Sequence, residues 1–151
     1  MIERLNSLNK PILGLGDVEC PQRLKNFRGI LGEMDNITAM KYMENHSLLV
    51  KERILDLSVD FSTPLVISHL PPLGSSTGMI YGVMVGSKSV RARILAHKPR
   101  LLFHGHSEVQ SVADFHGSTV VSIGSTLMGY VIEYFGNGKF QFTNIYEMTN
   151  L

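Results

Sequence analysis

Thr63-Pro64-Leu65-Val66-Ile67-Ser68-His69-Leu70-Pro71-Pro72 opens on an apolar run and closes on a histidine flanked by prolines. Such a run, too short for a helix and stopped by proline, is the pattern of a buried strand with a polar residue at its carboxyl end. Working outward, the same design recurs. Pro11-Ile12-Leu13-Gly14-Leu15-Gly16-Asp17 is a short apolar strand ending on a carboxylate. Gly29-Ile30-Leu31-Gly32 ends on Glu33-Met34-Asp35-Asn36, and Arg100-Leu101-Leu102-Phe103 ends on His104-Gly105-His106.

Between these runs the period changes. Ile2, Leu5 and Leu8 have helical spacing over 2–9. Pro21 is placed to open a helix over 21–26. Asp35 or Asn36 is placed to cap a helix over 37–45, and Ser87 to His97 reads as a helix stopped by Pro99. Residues 48–59 read as a strand, and Gly74-Ser75-Ser76-Thr77-Gly78 as a flexible loop. From Ser118 onward the pattern is β, with a hairpin turn at Gly136-Asn137-Gly138. The expected class is α/β (α+β) in a single domain spanning 1–151.

The 151 residues are 44% hydrophobic and 18% charged, the composition of a folded globular chain. A formal net charge of +1 carries no strong nucleic-acid signal. A lone cysteine, Cys20, excludes an internal disulfide and fits a reducing compartment. Met1 to Lys10 lacks the apolar core of a signal peptide, and no apolar run approaches the ~20 residues that span a bilayer. The expectation is a soluble, cytoplasmic protein.

Asp17, Glu33, His69 and His106 at successive strand ends would meet at one rim of a sheet, where open α/β sheets bind ligands. Two carboxylates and two imidazoles suit Zn, Mn or Fe. An ion held there would polarise a phosphoryl oxygen and make a water acidic, and a second ion would clamp the other side of the displacement. Taken singly, an Asp after a strand caps a helix and a His is a satisfied polar residue. The repeated placement beside Gly or Pro argues for a site. His104 reads as a packing or supporting group, Ser68, Ser107 and Ser125 as structural hydrogen-bonders, Arg91 and Arg93 as solvated, and Met40 and Met43 as core or partner-facing.

The order Gly16-Asp17, Gly32-Glu33-Met34-Asp35, Ser68-His69-Leu70-Pro71, Gly105-His106-Ser107-Glu108 and Gly124-Ser125 resembles the calcineurin-like metallophosphoesterases, closest to their small archaeal and bacterial members, over nearly the whole chain. The resemblance implies a metallophosphoesterase-like β-sandwich flanked by helices. It implies a hydrolase, a phosphodiesterase or phosphomonoesterase, that uses divalent Mn, Zn, Fe or Ni, as one or two ions, with one favoured because part of the first-metal ligand set is missing. Asp17 takes the place of the metal-bridging carboxylate, Glu33 that of the family's Asn ligand, and His69 and His106 those of further ligands. Asp17, His69 and His106 are the expected catalytic set. Glu108 stands where the family has a His, and is expected as an additional ligand or base. Met34 stands where many members carry the His that protonates the leaving group, and a thioether has no proton to give.

The family's first strand, with its Asp-x-His, has no counterpart before the helix at 2–9, so the expected sandwich is one with the first strand missing. Three explanations stay open: a rearranged sheet, a strand from another chain, or a record that begins downstream. Asp114-Phe115-His116-Gly117 repeats the absent string, but ahead of a strand instead of after one, where chance is the simpler reading. The alternative to an enzyme is a non-catalytic member acting as a binding or scaffold module. Expected partners are an unidentified phosphoester, a second copy or another protein, and no membrane.

Overall fold

The computed structural model describes residues 1–18, 20–32 and 35–147. It is a mixed α/β protein with several sheets and few helices. The central sheet has six strands: β3 (Arg53–Ile54), β4 (Leu57–Ser58), β5 (Leu65–Ser68), β8 (Leu101–His104), β10 (Ser118–Ser122) and β9 (Ser111–Phe115), in that spatial order. Three further pairs complete the β structure. β1 (Ile12–Leu15) runs parallel to β2 (Phe27–Ile30). β6 (Met79–Ile80) and β7 (Val83–Met84) form a small hairpin, and β11 (Tyr130–Gly136) and β12 (Lys139–Asn144) a larger one.

Alternation along the central strands sorts their side chains between two cores. Leu65, Ile67, Leu101, Phe103 and Val121 face one side, with Leu13, Leu15 and Ile30 of the β1–β2 pair and Ile132, Tyr134, Phe140 and Phe142 of the large hairpin. Val66, Leu102 and Val120 face the other side, with Val90 and Ile94 of helix α3 (Lys88–His97). Strands buried on both faces read as continuous apolar runs, which is why these were visible in the sequence. Phe103 anchors the first core through edge-to-face contacts with Tyr134 and Phe140, at 5.6 and 5.3 Å between ring centroids.

The helices follow their caps. Ser87 Oγ accepts the Val90 amide at 3.1 Å, and Lys98 closes α3 in the left-handed region before Pro99. Asn36 Oδ1 accepts the Ala39 amide at 2.7 Å and starts α2 (Ile37–Asn45), which buries Ala39 and Met43. Helix α1 covers Ile2–Ser7. Among the described residues no helix is long and apolar enough to cross a membrane.

Three elements differ from the sequence reading. The helix expected over 21–26 is a single 3₁₀ turn, Pro21–Arg23, since Leu24 already returns to extended backbone. The strand expected over 48–59 is broken at Leu55 (φ 54°), where the chain turns into the β3–β4 hairpin. Strand β9 was not foreseen. It makes a tight hairpin with β10 through His116 and Gly117, both at positive φ, as a two-residue type I′ turn requires. Asp114-Phe115-His116-Gly117 is therefore hairpin. It lies beside the start of β10, which is level with the start of β8, at the end of the sheet opposite His104.

The large hairpin is latched to the β3–β4 turn. Tyr134 donates its hydroxyl hydrogen to Asp56 Oδ1 at 2.7 Å, and Asp56 Oδ2 accepts the Asn137 amide at 2.7 Å. Burial, with the Asp56 carboxylate beside it, pushes the Tyr134 phenol up to about 12. A folded-state value above the unfolded one, ~10, gives stability that is complete below pH ~10 and fades as pH rises toward 12. Tyr134→Phe should lower stability by about 1 kcal/mol at pH 7. In urea titrations, the gap between wild type and this variant should shrink between pH 10 and 12.

Candidate metal centre

Strands β5 and β8 are parallel neighbours with Ser68 level with His104, so the residues that follow them leave the sheet at one end. His69 comes directly after β5 and His106 two residues after β8. Asp17 arrives from the separate β1–β2 pair. The contact that joins the two sheets here is His69 Nδ1 to the Leu15 carbonyl, 2.7 Å and buried. A carbonyl only accepts, so Nδ1 carries the hydrogen and the lone pair of a neutral ring sits on Nε2.

Nε2 of His69 lies 3.1 Å from Asp17 Oδ2, and Nδ1 of His106 lies 3.9 Å from the same oxygen. The candidate ligand atoms of Asp17, His69 and His106 all fall within 4.8 Å of one another. Two atoms each ~2.1 Å from one ion are at most ~4.2 Å apart; the 3.1 and 3.9 Å separations from Asp17 Oδ2 meet that limit, while the 4.8 Å bound on the whole set is wider than it. His69 is buried, and its Nε2 makes no aligned hydrogen bond. The two imidazoles meet edge to face at 5.1 Å.

Backbone strain accompanies this placement. Asp17 (φ 57°) and His106 (φ 49°) both occupy the left-handed region, which a residue with a side chain enters at a cost. Asp35 fixes the first: its Oδ2 accepts the amides of Asp17 at 2.9 Å and of Gly32 at 2.8 Å, tying the ends of β1 and β2. Asp35 was read as a possible helix cap; Asn36 caps instead, and Asp35 supports the site. The glycines are sterically required. A Cβ on Gly16 would overlap the His69 ring, and one on Gly32 would overlap the Asp17 carboxylate.

Behind His106 lies a buried polar chain. His104, fully buried, donates from Nδ1 to the Gly105 carbonyl at 2.7 Å, leaving Nε2 to accept the Thr77 hydroxyl at 2.8 Å. Thr77 Oγ1 in turn accepts the Ser75 hydroxyl at 2.7 Å, and Ser107 Oγ donates to the Thr77 carbonyl at 2.7 Å. Burial lowers the His104 imidazole to about 4, so it is neutral at pH 7. The 74–78 segment, expected to be flexible from its Gly and Ser content, is held by this chain. Composition alone did not reveal that Ser75 and Thr77 are buried.

Of the expected site residues, the structure brings together Asp17, His69 and His106. Glu33 and Met34 lie outside the described residues. Glu108 is exposed and turned elsewhere: its Oε2 accepts the Tyr81 amide at 3.0 Å, and it is not one of the clustered ligands. A depression of about 510 Å³ lined by Arg28, Glu44, Lys51 and Arg53 shares no residue with the cluster and contains no comparable ligand set.

Comparison of the chain with protein families, with curated proteins and with solved structures gives no match. The site stands on its own geometry.

Thr77→Val keeps the shape but strips the buried His104 Nε2 of its donor. It should cost about 1–3 kcal/mol, read as a lower midpoint in urea unfolding.

Proposed function

We propose that this chain is a divalent-metal-dependent phosphoesterase of the calcineurin-like metallophosphoesterase type, holding one ion between Asp17, His69 and His106. The observation that supports it is the 3.1 Å approach of His69 Nε2 to Asp17 Oδ2. With Nδ1 committed to Leu15, these are two lone-pair atoms, and they repel unless a proton or a cation lies between them. A nearby second imidazole favours the cation, and a carboxylate with two histidines is a donor set for Zn, Mn or Fe.

When bound, the ion supplies Lewis-acid polarisation of the phosphoryl oxygen and lowers the pKa of water. The chain's own residues orient and support. The Leu15 carbonyl fixes the His69 tautomer, and Asp35 holds the loop that presents Asp17. In hydrolysis the water oxygen bonds to phosphorus and gives up a proton to solvent, the ester P–O bond breaks, and the leaving alkoxide takes a proton from solvent, the Met34 thioether having none to give. The layering of the central sheet between α3 and the two smaller sheets supports the β-sandwich as the finer fold. Lone Cys20 fits a cytoplasmic setting.

The rival reading, a binding module that keeps the fold without turnover, is favoured by Glu108 being engaged with Tyr81. One experiment separates them. Purified protein should bind about one Mn²⁺ or Zn²⁺ per chain by elemental analysis. It should hydrolyse bis(p-nitrophenyl) phosphate only with added metal, and His69→Ala should fall to background. Metal binding without turnover removes the hydrolase; no metal binding removes the metal centre and hands the case to the binding module. Asp35→Ala, which touches no ligand atom, should weaken metal affinity by about 10–100-fold, measured by competition with a chelating dye.

A further inference from the structure

The depression lined by Arg28, Glu44, Lys51 and Arg53 is built on backbone that is fixed at every side. Residues 48–50 run beside β2: the Gly29 amide donates to the Leu48 carbonyl at 3.0 Å, and the Val50 amide to the Gly29 carbonyl at 2.8 Å. This parallel bridge delivers Lys51, the next residue, to the space that Arg28 of β2 lines. Arg53 follows in β3, paired with Ser58 of β4. Glu44 lies in the last turn of α2, and the Ser47 amide donates to the Glu44 carbonyl at 3.2 Å where the chain leaves the helix.

Arg28, Lys51 and Arg53 thus share one space of about 510 Å³ with Ser47, Glu44 and Glu52. Among the described residues, no side chain of these six makes an ion pair or a hydrogen bond. Cations and carboxylates stand in the same depression, each with its donors or acceptors uncommitted. The smaller depression that Arg53 also borders is different. There Arg100 donates to the Asn137 carbonyl at 2.8 Å, and Asp56 accepts from Tyr134 and Asn137. In that place the charges hold the fold together; in the larger one they do not.

We propose that the larger depression is a binding site for a small phosphorylated polyol, with a hexose phosphate as the simplest case. Arg28, Lys51 and Arg53 take the phosphate, whose oxygens match the planar fork of a guanidinium. Glu44 and Glu52 accept from the hydroxyl groups, since an ionised carboxylate only accepts. The mixed lining excludes the neighbouring chemistries. A polyphosphate would set further negative charge against the two carboxylates, and a neutral sugar would leave three cations unmatched. A nucleotide would find no aromatic ring among the described lining residues on which to stack its base. The volume lies within the ~300–1,000 Å³ of small-molecule sites. The site shares no residue with Asp17, His69 and His106, so it stands or falls apart from the phosphoesterase reading.

The test titrates ¹⁵N-labelled protein with glucose 6-phosphate, inorganic phosphate and glucose, following backbone amides by NMR. Glucose 6-phosphate should shift amides around Arg28 and over 47–53, and bind at least about tenfold more tightly than either fragment. Arg28→Ala/Lys51→Ala should weaken it at least about tenfold. Glu44→Gln should weaken glucose 6-phosphate and leave inorganic phosphate unchanged. The substituted side chains are exposed, so the urea midpoints of these variants should match wild type. Binding of glucose 6-phosphate no tighter than that of phosphate reduces the site to an anion patch and overturns the proposal. Shifts confined to the neighbourhood of His69 and His106, or affinity that survives in the double variant, overturn it by placing the ligand elsewhere. Absence of saturable binding by all three compounds overturns it outright.

Discussion

The hydrogen bond from His69 Nδ1 to the Leu15 carbonyl is the constraint from which the rest of the site follows. It crosses between two sheets that share no strand pairing among the described residues, and it is buried. It commits Nδ1 to β1, so Nε2 is the ring atom that faces Asp17, as a lone pair when the ring is neutral. Without this bond His69 could rotate or change tautomer, and the 3.1 Å approach to the carboxylate would have no fixed sign. Metal-ligating histidines are held by a second-atom bond of this kind in general, because it orients the ring and raises its basicity.

The neighbouring structure protects that geometry. Asp35 clamps the loops that follow β1 and β2, Gly16 and Gly32 leave room where a methyl would strike His69 or Asp17, and Asp17 and His106 sit in left-handed backbone. Strain of this kind persists only where surrounding contacts over-determine it. The Ser75–Thr77–His104 chain does so from beneath, fixing the Gly105 carbonyl just before the strained His106. Fully satisfied buried polar chains specify one arrangement, while a half-satisfied one is costly.

Legibility varied with the kind of signal. The runs Leu65–Ser68 and Leu101–His104 were plain, because strands buried on both faces carry uninterrupted apolar residues. The helix at 37–45 and its Asn36 cap were plain for local reasons. Residues 48–59 misled, because Ile54, Leu57 and Val59 suggest one strand while the turn at Leu55 has no glycine to announce it. Strand β9 was hidden for a different reason: its turn, His116-Gly117, lacks the Asn or Asp that usually precedes the glycine, and Val112 points to solvent. The Asp-x-His string at 114–116 matched a motif in letters only. Its position at the far end of the sheet separates it from the cluster.

Sequence alone nominated the candidates, because Asp17, His69 and His106 each follow an apolar run. Parallel β5 and β8 place His69 and His106 at one rim, as expected of such strands, but Asp17 reaches it from a separate sheet. Only the tertiary structure decided what they do to one another. It decided that Asp17 and His69 come within 3.1 Å, that Asp35 supports and does not cap, and that Glu108 turns away to Tyr81. Those outcomes depend on contacts between residues 18 to 54 positions apart and on which atom of a ring or carboxylate finds a partner first. Local pattern carries the period of an element; it does not carry the direction in which a side chain at its end will point.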